Sequence, residues 1–274
     1  MRLDLHIHTT ASDGAWEPAE VVHGARSGGL HAISITDHDT VAAVAAAQAA
    51  GKDAGVTVIS GCELSSTLDG RELHILGYGV DISDATLLER GRRARLRRRE
   101  RMADMVDRLR AQGVAVDLES VEEIAGDGGM IGRPHLAEAM VDADHVGSLD
   151  EAFDRWIGDH HDAYVSTDLG SPQEVIEVIL GAGGVPVWAH PPRDLVESLT
   201  PMLADAGLRG LEAYRISHRP SKIKQYREIA KAHGLVVSGG SDWHNPKRNE
   251  KLGSFWSTWG QLKELLAELG VERA

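Results

Sequence analysis

The segment DLHIHTTASDG, residues 4–14, places two histidines one residue apart and follows them with an aspartate and a glycine. Because side chains alternate across a β-strand, Leu5 and Ile7 would share one face of a strand while His6 and His8 share the other. The apolar face requires a buried core, and the polar face offers two imidazoles that can bind one ion. Two histidines on a half-buried strand, bonded to backbone or water, would give the same pattern, so this segment alone leaves both interpretations open.

Similar side chains recur where other predicted strands end, in SITDHDT, GCELS, VWAHPPR and SGGSDWHNP, and within one predicted strand, at His74 of RELHILGYG. Parallel α/β folds assemble their active sites at the carboxyl ends of their strands. Imidazoles and carboxylates suit Mn, Zn or Fe, and six histidines with three acids exceed what one ion needs. They predict a cluster of ions bridged by a carboxylate. The nine candidates are His6, His8, Asp13, His38, Glu63, His74, His190, Asp242 and His244.

Strand and helix patterns alternate along residues 1–83 and resume over residues 169–274, which favours a mainly parallel sheet or barrel covered by helices. Between them, residues 84–168 are predicted to be mostly helical. This part starts with a long helix whose apolar stripe contains Met102, Met105, Val106 and Leu109. The sequence therefore predicts one α/β domain, interrupted by a helical insertion or cap.

Composition limits the partners of this chain. The formal net charge of -13 argues against holding duplex nucleic acid by phosphate neutralisation, and suits carboxylates balanced by bound cations. Aromatic residues make up only 4% of the chain, which argues against a stacking platform for single strands. No apolar run approaches the roughly 20 residues that span a bilayer, so no membrane partner is expected. The single cysteine, Cys62, favours the reducing cytoplasm.

An arginine-rich run extends from Arg92 to Arg101 inside the predicted long helix. Such a run indicates either an RNA-binding surface or a solvated helix face. Because the chain is acidic overall and Glu89 and Glu100 lie close by in sequence, the solvated helix face is the favoured interpretation.

The motifs DLHIHTTASDG, ITDHDT, GCELS, ELHILGY, AHPPR and GGSDWH resemble, in this order, those of the polymerase and histidinol phosphatase (PHP) superfamily of metal-dependent phosphoesterases. IGRPHLAEAMV, LEAY and His218 resemble the branch that contains 3′,5′-nucleotide bisphosphate phosphatases and 5′–3′ exoribonucleases. The resemblance implies a distorted (β/α)7 barrel with a helical insertion. It also implies a centre of two or three divalent ions, with Mn as the first choice and Zn or Fe as alternatives. The nine residues named above would be its ligands, with Glu63 as a bridge.

The resemblance further implies the chemistry. Bound ions would neutralise the anionic phosphate oxygens and lower the pKa of a bridging water, so that hydroxide exists at neutral pH. Arg133 and His135 would contact the phosphate, although a helix-start arginine and a surface histidine would look the same in sequence. His218 would be a third contact or the acid for the leaving group. Asp242, His218 and Arg133 are thus the candidate catalytic residues, and Asp37 and Asp39 are expected to orient ligand histidines.

The favoured function is hydrolysis of a phosphomonoester on a small nucleotide-like substrate, such as the 3′-phosphate of a 3′,5′-bisphosphate nucleotide. The alternative is a phosphodiesterase that acts on short RNA in the 5′–3′ direction or on a small cyclic phosphodiester. A non-catalytic PHP module is disfavoured because no ligand position is substituted. An amidohydrolase-like C–N hydrolase is disfavoured because no metal-bridging lysine or carbamate can be placed.

Overall fold

The computed structural model describes residues 1–126, 128–246 and 251–272. Its strands are β1 (Arg2–Ile7), β2 (Ala32–Ile35), β3 (Thr57–Ile59), β4 (Gly61–Leu68), β5 (Arg71–Tyr78), β6 (Val185–Trp188), β7 (Gly210–Tyr214), β8 (Val236–Gly239) and β9 (Ser257–Thr258). Its α-helices are α1 (Pro18–Ser27), α2 (Val44–Ala54), α3 (Ala85–Ala111), α4 (Leu118–Ala125), α5 (Arg133–Asp142), α6 (Leu149–Ala152), α7 (Pro172–Gly181), α8 (Val196–Asp205), α9 (Pro220–Ala232) and α10 (Trp259–Glu268). A π-helical turn, Phe153–Ile157, continues α6. Among the described residues, no helix combines the length and the apolar character needed to cross a bilayer.

The strands form two sheets, in the orders β3-β2-β1-β9 and β4-β5-β6-β7-β8. Strands β1 to β3 are parallel, as are β6 to β8, whereas β4, β5 and β9 pair antiparallel to their neighbours. Isolated parallel bridges join the sheets, one between Ile7 and Trp243 and one between His38 and Glu63. The predicted α/β class is confirmed. In the described parts of the chain the strand hydrogen bonds make two mixed sheets, so the closed (β/α)7 barrel is not confirmed.

Strand β1 lies inside its sheet, and both of its faces are buried. Leu3 and Leu5 pack into a large apolar cluster with β4, β5 and α7, while Ile7 packs into a second cluster with α1 and α2. On the opposite face, His6 and His8 are fully buried as well. The interpretation of this strand as a half-buried one with solvated histidines was therefore wrong.

The segment between residues 84 and 168 is helical, and most of its apolar side chains form a cluster of their own. This third cluster draws on α3, α4, α5 and the π-helical turn, and it contains the predicted stripe of Met102, Met105, Val106 and Leu109. A buried arginine of α3, Arg98, reaches out of the cluster and donates to Asp39 in the loop after β2. The helical character of this segment is confirmed, whereas the boundaries at residues 84 and 168 remain a prediction.

Gly240 lets the end of β8 lie directly against β1. A Cβ atom at this position would be 2.2 Å from the Cβ of His6 and 2.5 Å from its backbone nitrogen. Two residues later, the backbone N–H of Asp242 donates to the His6 carbonyl at 2.9 Å. This close approach brings the segment after β8 to the histidines of β1.

We expect Gly240→Ala to lower the free energy of unfolding by about 1–3 kcal/mol, the usual cost of overpacking a core, because the new methyl group must displace β1. Gly260→Ala in α10 is the matched control, since nothing lies within 4 Å of a Cβ there. Alanine at that helical site should stabilise the protein by up to about 1 kcal/mol. Urea unfolding followed by circular dichroism measures both variants, and an equal effect of the two would contradict the argument.

Candidate metal centre

The structure brings all nine candidate residues into one cluster. His6 and His8 come from the end of β1, His38 from the loop after β2, and the others from β4, β5, the loop after β1 and the segments after β6 and β8. Every member lies within 4 Å of another member of the set: His6, His8, Asp13, His38, Glu63, His74, His190, Asp242 and His244. The positions predicted from separate motifs thus converge on one site.

Glu63 is the centre of this cluster, and its carboxylate is fully buried. Its Oε2 atom lies 3.0–3.3 Å from a ring nitrogen of each of three histidines, His6, His8 and His38. Its Oε1 atom lies 3.1 Å from Nδ1 of His74 and 2.8 Å from Nε2 of His190. A carboxylate whose two oxygens face different groups of imidazoles has the geometry of a bridging ligand.

Three groups of ligand atoms lie close enough together for each to hold one ion. Within each group, the donor atoms are all within 4.8 Å of one another. The groups share His8, His38 and Glu63, so ions held by them would be neighbours. They are His8–Asp13–His38–His244, His6–His8–Glu63–Asp242 and His38–Glu63–His74.

Several buried polar atoms of the cluster lack hydrogen bonds. Asp13 Oδ1, His38 Nδ1 and Glu63 Oε2 are buried without a hydrogen-bond partner among the described residues. Nε2 of His6 and Nε2 of His8 face each other at 3.2 Å. Buried polar groups are normally hydrogen-bonded, so orphaned atoms pointing into one space require another explanation. Divalent cations bound between these atoms would supply it, since nitrogen and oxygen donors of this kind suit Mn, Zn or Fe.

The electrostatics of the cluster keep its carboxylates ionised. Burial raises the pKa of Glu63, but His6 and His38 outweigh it and hold that pKa well below its usual range. Burial lowers the pKa of His8, but the neighbouring carboxylates of Asp242 and Glu63 outweigh it and raise the pKa to about 10. Burial lowers the pKa of His38 to about 3, so this imidazole is neutral and keeps a lone pair for an ion. The protein therefore presents anionic oxygens and at least one neutral nitrogen.

Glu212 of β7 and Arg215 were not predicted from the sequence. They hydrogen-bond three of the candidate ligand residues, His6, His190 and Asp242. Glu212 Oε1 accepts from Nδ1 of His6 at 2.9 Å, and its Oε2 accepts from the backbone N–H of His190 at 2.8 Å. Arg215 donates to Glu212 at 2.8 Å and to Asp242 Oδ2 at 2.9 Å. Burial raises the pKa of Glu212, but Arg215 and His6 lower it to about 2. The one signal in the sequence was a glutamate inside the otherwise apolar strand GLEAY.

Asp37 and Asp39 do not hydrogen-bond a candidate ligand histidine directly among the described residues, so their orienting role stays a prediction. Asp37 accepts from the backbone N–H of Thr9 at 2.7 Å and from the Ser12 hydroxyl at 2.7 Å, and it has no hydrogen bond to a ligand histidine. Asp39 accepts from Arg98 at 2.9 Å and from the backbone of β4. Asp37 is connected to His8 through Ser12, whose hydroxyl lies 3.4 Å from Nδ1 of His8, and Asp39 holds the helix α3 in place through Arg98.

The predicted substrate contacts lie on α5 and after β7. Arg133, the first residue of α5, is partly exposed and donates to Asp159 at 2.5 Å. His135 is buried and its Nδ1 accepts from the backbone N–H of Gly132 at 3.0 Å. His218 is buried too, and its Nδ1 donates to the carbonyl of Ala213 at 3.0 Å. All three predicted contacts have defined partners, and none of them is a free surface side chain.

A further arginine that the sequence did not single out lies between Arg133 and the cluster. The guanidinium carbons of Arg101 and Arg133 are each 5.2 Å from the ring centre of Tyr164. Arg101 is buried, its Nη1 is 3.7 Å from Glu72, and its Nη2 has no hydrogen-bond partner within the described segments. Glu72 in turn lies 3.0 Å from Nε2 of His74. Arg101 is thus connected to the cluster through Glu72, and Arg133 shares the Tyr164 ring with Arg101.

Residues 4–114 match the PHP domain family. The chain is 32% identical over 249 residues to a 3′,5′-nucleoside bisphosphate phosphatase of Chromobacterium violaceum, covering 89% of this chain and 87% of the relative. It is 30% identical over 275 residues to the 5′–3′ exoribonuclease Rnm of Escherichia coli, covering 94% of each. It is 30% identical over 246 residues to a phosphoribosyl 1,2-cyclic phosphate 1,2-diphosphodiesterase of Eggerthella lenta, covering 88% and 93%. All three relatives are named as hydrolases of phosphate esters.

A solved structure of a candidate metal-dependent phosphoesterase from Bifidobacterium adolescentis has the same fold. It superposes with a TM-score of 0.89 at 32% sequence identity, covering 97% of this chain and 96% of that one. The similarity thus extends over the sheets and the helical segment together.

We expect Glu212→Ala to weaken Mn²⁺ binding by about 10–100-fold, the usual effect of losing a hydrogen-bond partner of a ligand, because His6 would lose the acceptor that orients its ring. Glu212→Gln keeps an acceptor oxygen and should lose less. Isothermal titration with Mn²⁺ measures both variants. If both variants bound Mn²⁺ as the unmodified protein does, Glu212 would have no role in orienting His6.

Proposed function

Because the chain belongs to the PHP family of metal-dependent phosphoesterases, we propose that it hydrolyses the phosphomonoester of a small nucleotide-like substrate at its buried cluster. The observation that carries this proposal is the fully buried Glu63 carboxylate among five imidazoles, with Oε2 lacking a hydrogen bond. Two or three divalent ions, Mn²⁺ first and Zn or Fe as alternatives, would complete its coordination. The proposed ligands are His6, His8, Asp13, His38, Glu63, His74, His190, Asp242 and His244.

When bound, such ions neutralise phosphate oxygens and lower the pKa of a coordinated water. The chain's own residues would decide which phosphate is chosen. Arg133 is proposed to bind two phosphate oxygens at once through its planar guanidinium, and Arg101 offers a second, unpaired donor across Tyr164. His135 is proposed to support this contact from the same helix, α5.

His218 is proposed to contact the substrate and not to protonate the leaving group. Burial lowers its pKa, and its Nδ1–H is already donated to Ala213, so the neutral ring offers the lone pair of Nε2 to a substrate hydroxyl. Asp242 is the proposed catalytic carboxylate. Its Oδ2 accepts a hydrogen bond from Arg215, and its Oδ1 lies 3.3 Å from Nε2 of both His6 and His8. Asp242 is partly exposed, and from this position it would orient the attacking water.

The proposed architecture is a distorted (β/α)7 barrel with a cap. The two isolated β-bridges between the sheets support this architecture. One bridge joins β1 to the segment after β8, and the other joins the loop after β2 to β4. The separate apolar cluster of the helical segment supports a cap over residues 84–168 on a barrel of residues 1–83 and 169–274. The free, buried Cys62 supports a cytoplasmic location.

A phosphodiesterase acting on short RNA is the second candidate function. The E. coli relative is named as a 5′–3′ exoribonuclease, and helix α3 here exposes five arginines between residues 92 and 99. A small cyclic phosphodiester is a third candidate substrate, because the Eggerthella lenta relative is named as a phosphoribosyl cyclic phosphate diphosphodiesterase.

The proposal predicts that Mn-loaded protein releases phosphate from a 3′,5′-bisphosphate nucleotide, and that it carries at least two ions per chain. A panel of that nucleotide, a 5′-phosphorylated RNA and a cyclic phosphodiester ranks the substrates, and elemental analysis counts the ions. His38→Ala should lose both metal and activity, because its ring serves two of the three donor groups. One ion or fewer after reconstitution with excess Mn²⁺, or turnover unaffected by a chelator, would contradict the proposal.

We expect Arg133→Ala to leave metal content unchanged and to reduce kcat/KM by roughly 10²-fold, the scale of losing about 3 kcal/mol of transition-state binding. The loss should be greater for the preferred nucleotide than for p-nitrophenyl phosphate. Arg155→Ala is the control, because this arginine of the same helical segment is exposed and pairs only with Glu151 among the described residues. Equal losses on both substrates would mean that Arg133 does not recognise the nucleotide.

A further inference from the structure

Tyr226 of α9 joins two segments that lie beside the metal centre. Its ring is fully buried, and its hydroxyl donates to the carbonyl of Pro191, the residue directly after His190, at 2.7 Å. The ring centre lies 5.3 Å from that of His218 and 5.1 Å from Nζ of Lys222, in the first turn of α9. The segment after β6 and the start of α9 therefore meet at one aromatic ring.

Two cations approach this ring: Lys222, and Arg193, which is exposed and lies two residues after Pro191. We call Arg193 and Lys222 the cation pair. Burial lowers the pKa of Lys222, and the charges of Arg215 and Arg193 lower it further. Burial raises the pKa of Tyr226 to about 12, and the charge of Arg193 opposes that rise. Both effects place the cation pair around the same tyrosine.

The cation pair has no acid to balance it. Neither member has a carboxylate partner in the described parts of the chain. Asp194, the residue after Arg193, pairs with Arg71 at 2.7 Å. Glu212 is buried and pairs with Arg215 at 2.8 Å. Cations that face each other without an acid between them repel, and a bound anion would relieve that repulsion.

The cation pair follows strands β6 and β7, at the same end of the sheet as the metal centre. His190, three residues before Arg193, lies 2.8 Å from Glu63. Because β6 and β7 are parallel neighbours, their carboxyl ends open to the same edge of the sheet. Arg133, in contrast, belongs to the helical segment. The centre is thus flanked by cations from two different parts of the fold, an arrangement that suits a substrate with two anionic groups.

We propose that the cation pair, Arg193 and Lys222, binds a second phosphate of the substrate, which is held and not hydrolysed while the metal centre acts on the other. The inference rests on the proposed phosphoesterase function and assigns to it two residues that determine substrate preference. Arginine and lysine bind phosphate oxygens through charge-assisted hydrogen bonds. His218 packs on the same tyrosine ring, so the held phosphate would lie beside the substrate hydroxyl proposed to meet its Nε2.

The test compares substrates that differ by one phosphate: adenosine 3′,5′-bisphosphate, adenosine 3′-phosphate and adenosine 5′-phosphate. In Mn-loaded protein, Arg193→Ala with Lys222→Ala should lower kcat/KM for the bisphosphate by roughly 10–100-fold, through KM, because charge-assisted contacts are lost. The loss for the monophosphate that keeps the hydrolysed ester should be about threefold or less.

The matched control is Lys224→Ala with Arg227→Ala, which removes two exposed cations from the side of α9 that faces α10. It should change kcat/KM for each substrate by about twofold or less, because exposed charges away from the site contribute little. An equal loss in this control would indicate a general effect of surface charge and would overturn the proposal.

Equal losses on the bisphosphate and the monophosphate, or no loss on either, would also overturn the proposal, because the cation pair would then not recognise the second phosphate. Weaker inhibition by inorganic phosphate, with turnover of the bisphosphate unchanged, would assign the cation pair to a free phosphate ion and overturn the assignment to the substrate.

Failure of the proposed function is distinguishable from failure of this subsite. If the unmodified, metal-loaded protein hydrolyses none of the three nucleotides, isothermal titration with the intact bisphosphate still tests the cation pair. Binding about 10-fold or more weaker in Arg193→Ala with Lys222→Ala, and unaltered in the control, would support the subsite, and equal binding would overturn it. If the monophosphate is hydrolysed and the first double variant treats the bisphosphate as the unmodified protein does, the subsite fails while the phosphoesterase function stands.

Discussion

A carboxylate buried without compensating positive charge is among the costliest groups a fold can contain, and Glu63 is fully buried at the centre of this protein. The rest of the site is arranged around that constraint. Five imidazoles from four separate segments face its two oxygens, and the anionic donors Asp13 and Asp242 lie in the same cluster. Cations in the cluster would relieve both the buried charge and the unpaired atoms, so fold stability and metal binding depend on the same residues.

The helical segment is tied to this centre by buried charge as well. Arg98 of α3 donates to Asp39, and its Nη2 donates to the Ser65 hydroxyl of β4 at 2.8 Å. Because β4 also carries Glu63, these contacts join α3 to the strand that bears the central carboxylate. The arginine run therefore has two roles on one helix: Arg98 and Arg101 face inward to the site, and their neighbours in sequence face solvent.

Much of the site was predictable because most of the candidate ligands belong to motifs at or just after strand ends, where backbone direction brings distant residues together, although Glu63 and His74 lie inside β4 and β5. His6 and Asp242 are an example, since they meet through the pairing of β1 with the segment after β8. Glu212 and Arg215 were missed because their role depends on contacts to His6 and Asp242 that no local pattern encodes. The arrangement of the strands in two sheets was missed for a similar reason: periodicity predicts a strand but not its partner.

The candidate metal cluster and the side chains beside it lie on different parts of the fold. The cluster is built on the strands and on the segments that follow them, which two buried apolar clusters hold in place. Arg133, Tyr164 and Arg101 instead lie on the helical segment, whose apolar cluster is separate from those two. Substitutions there can alter the shape and charge beside the site without disturbing Glu63. Substrate choice in this fold is therefore expected to follow the helical segment, together with the cation pair, while hydrolysis follows the strands.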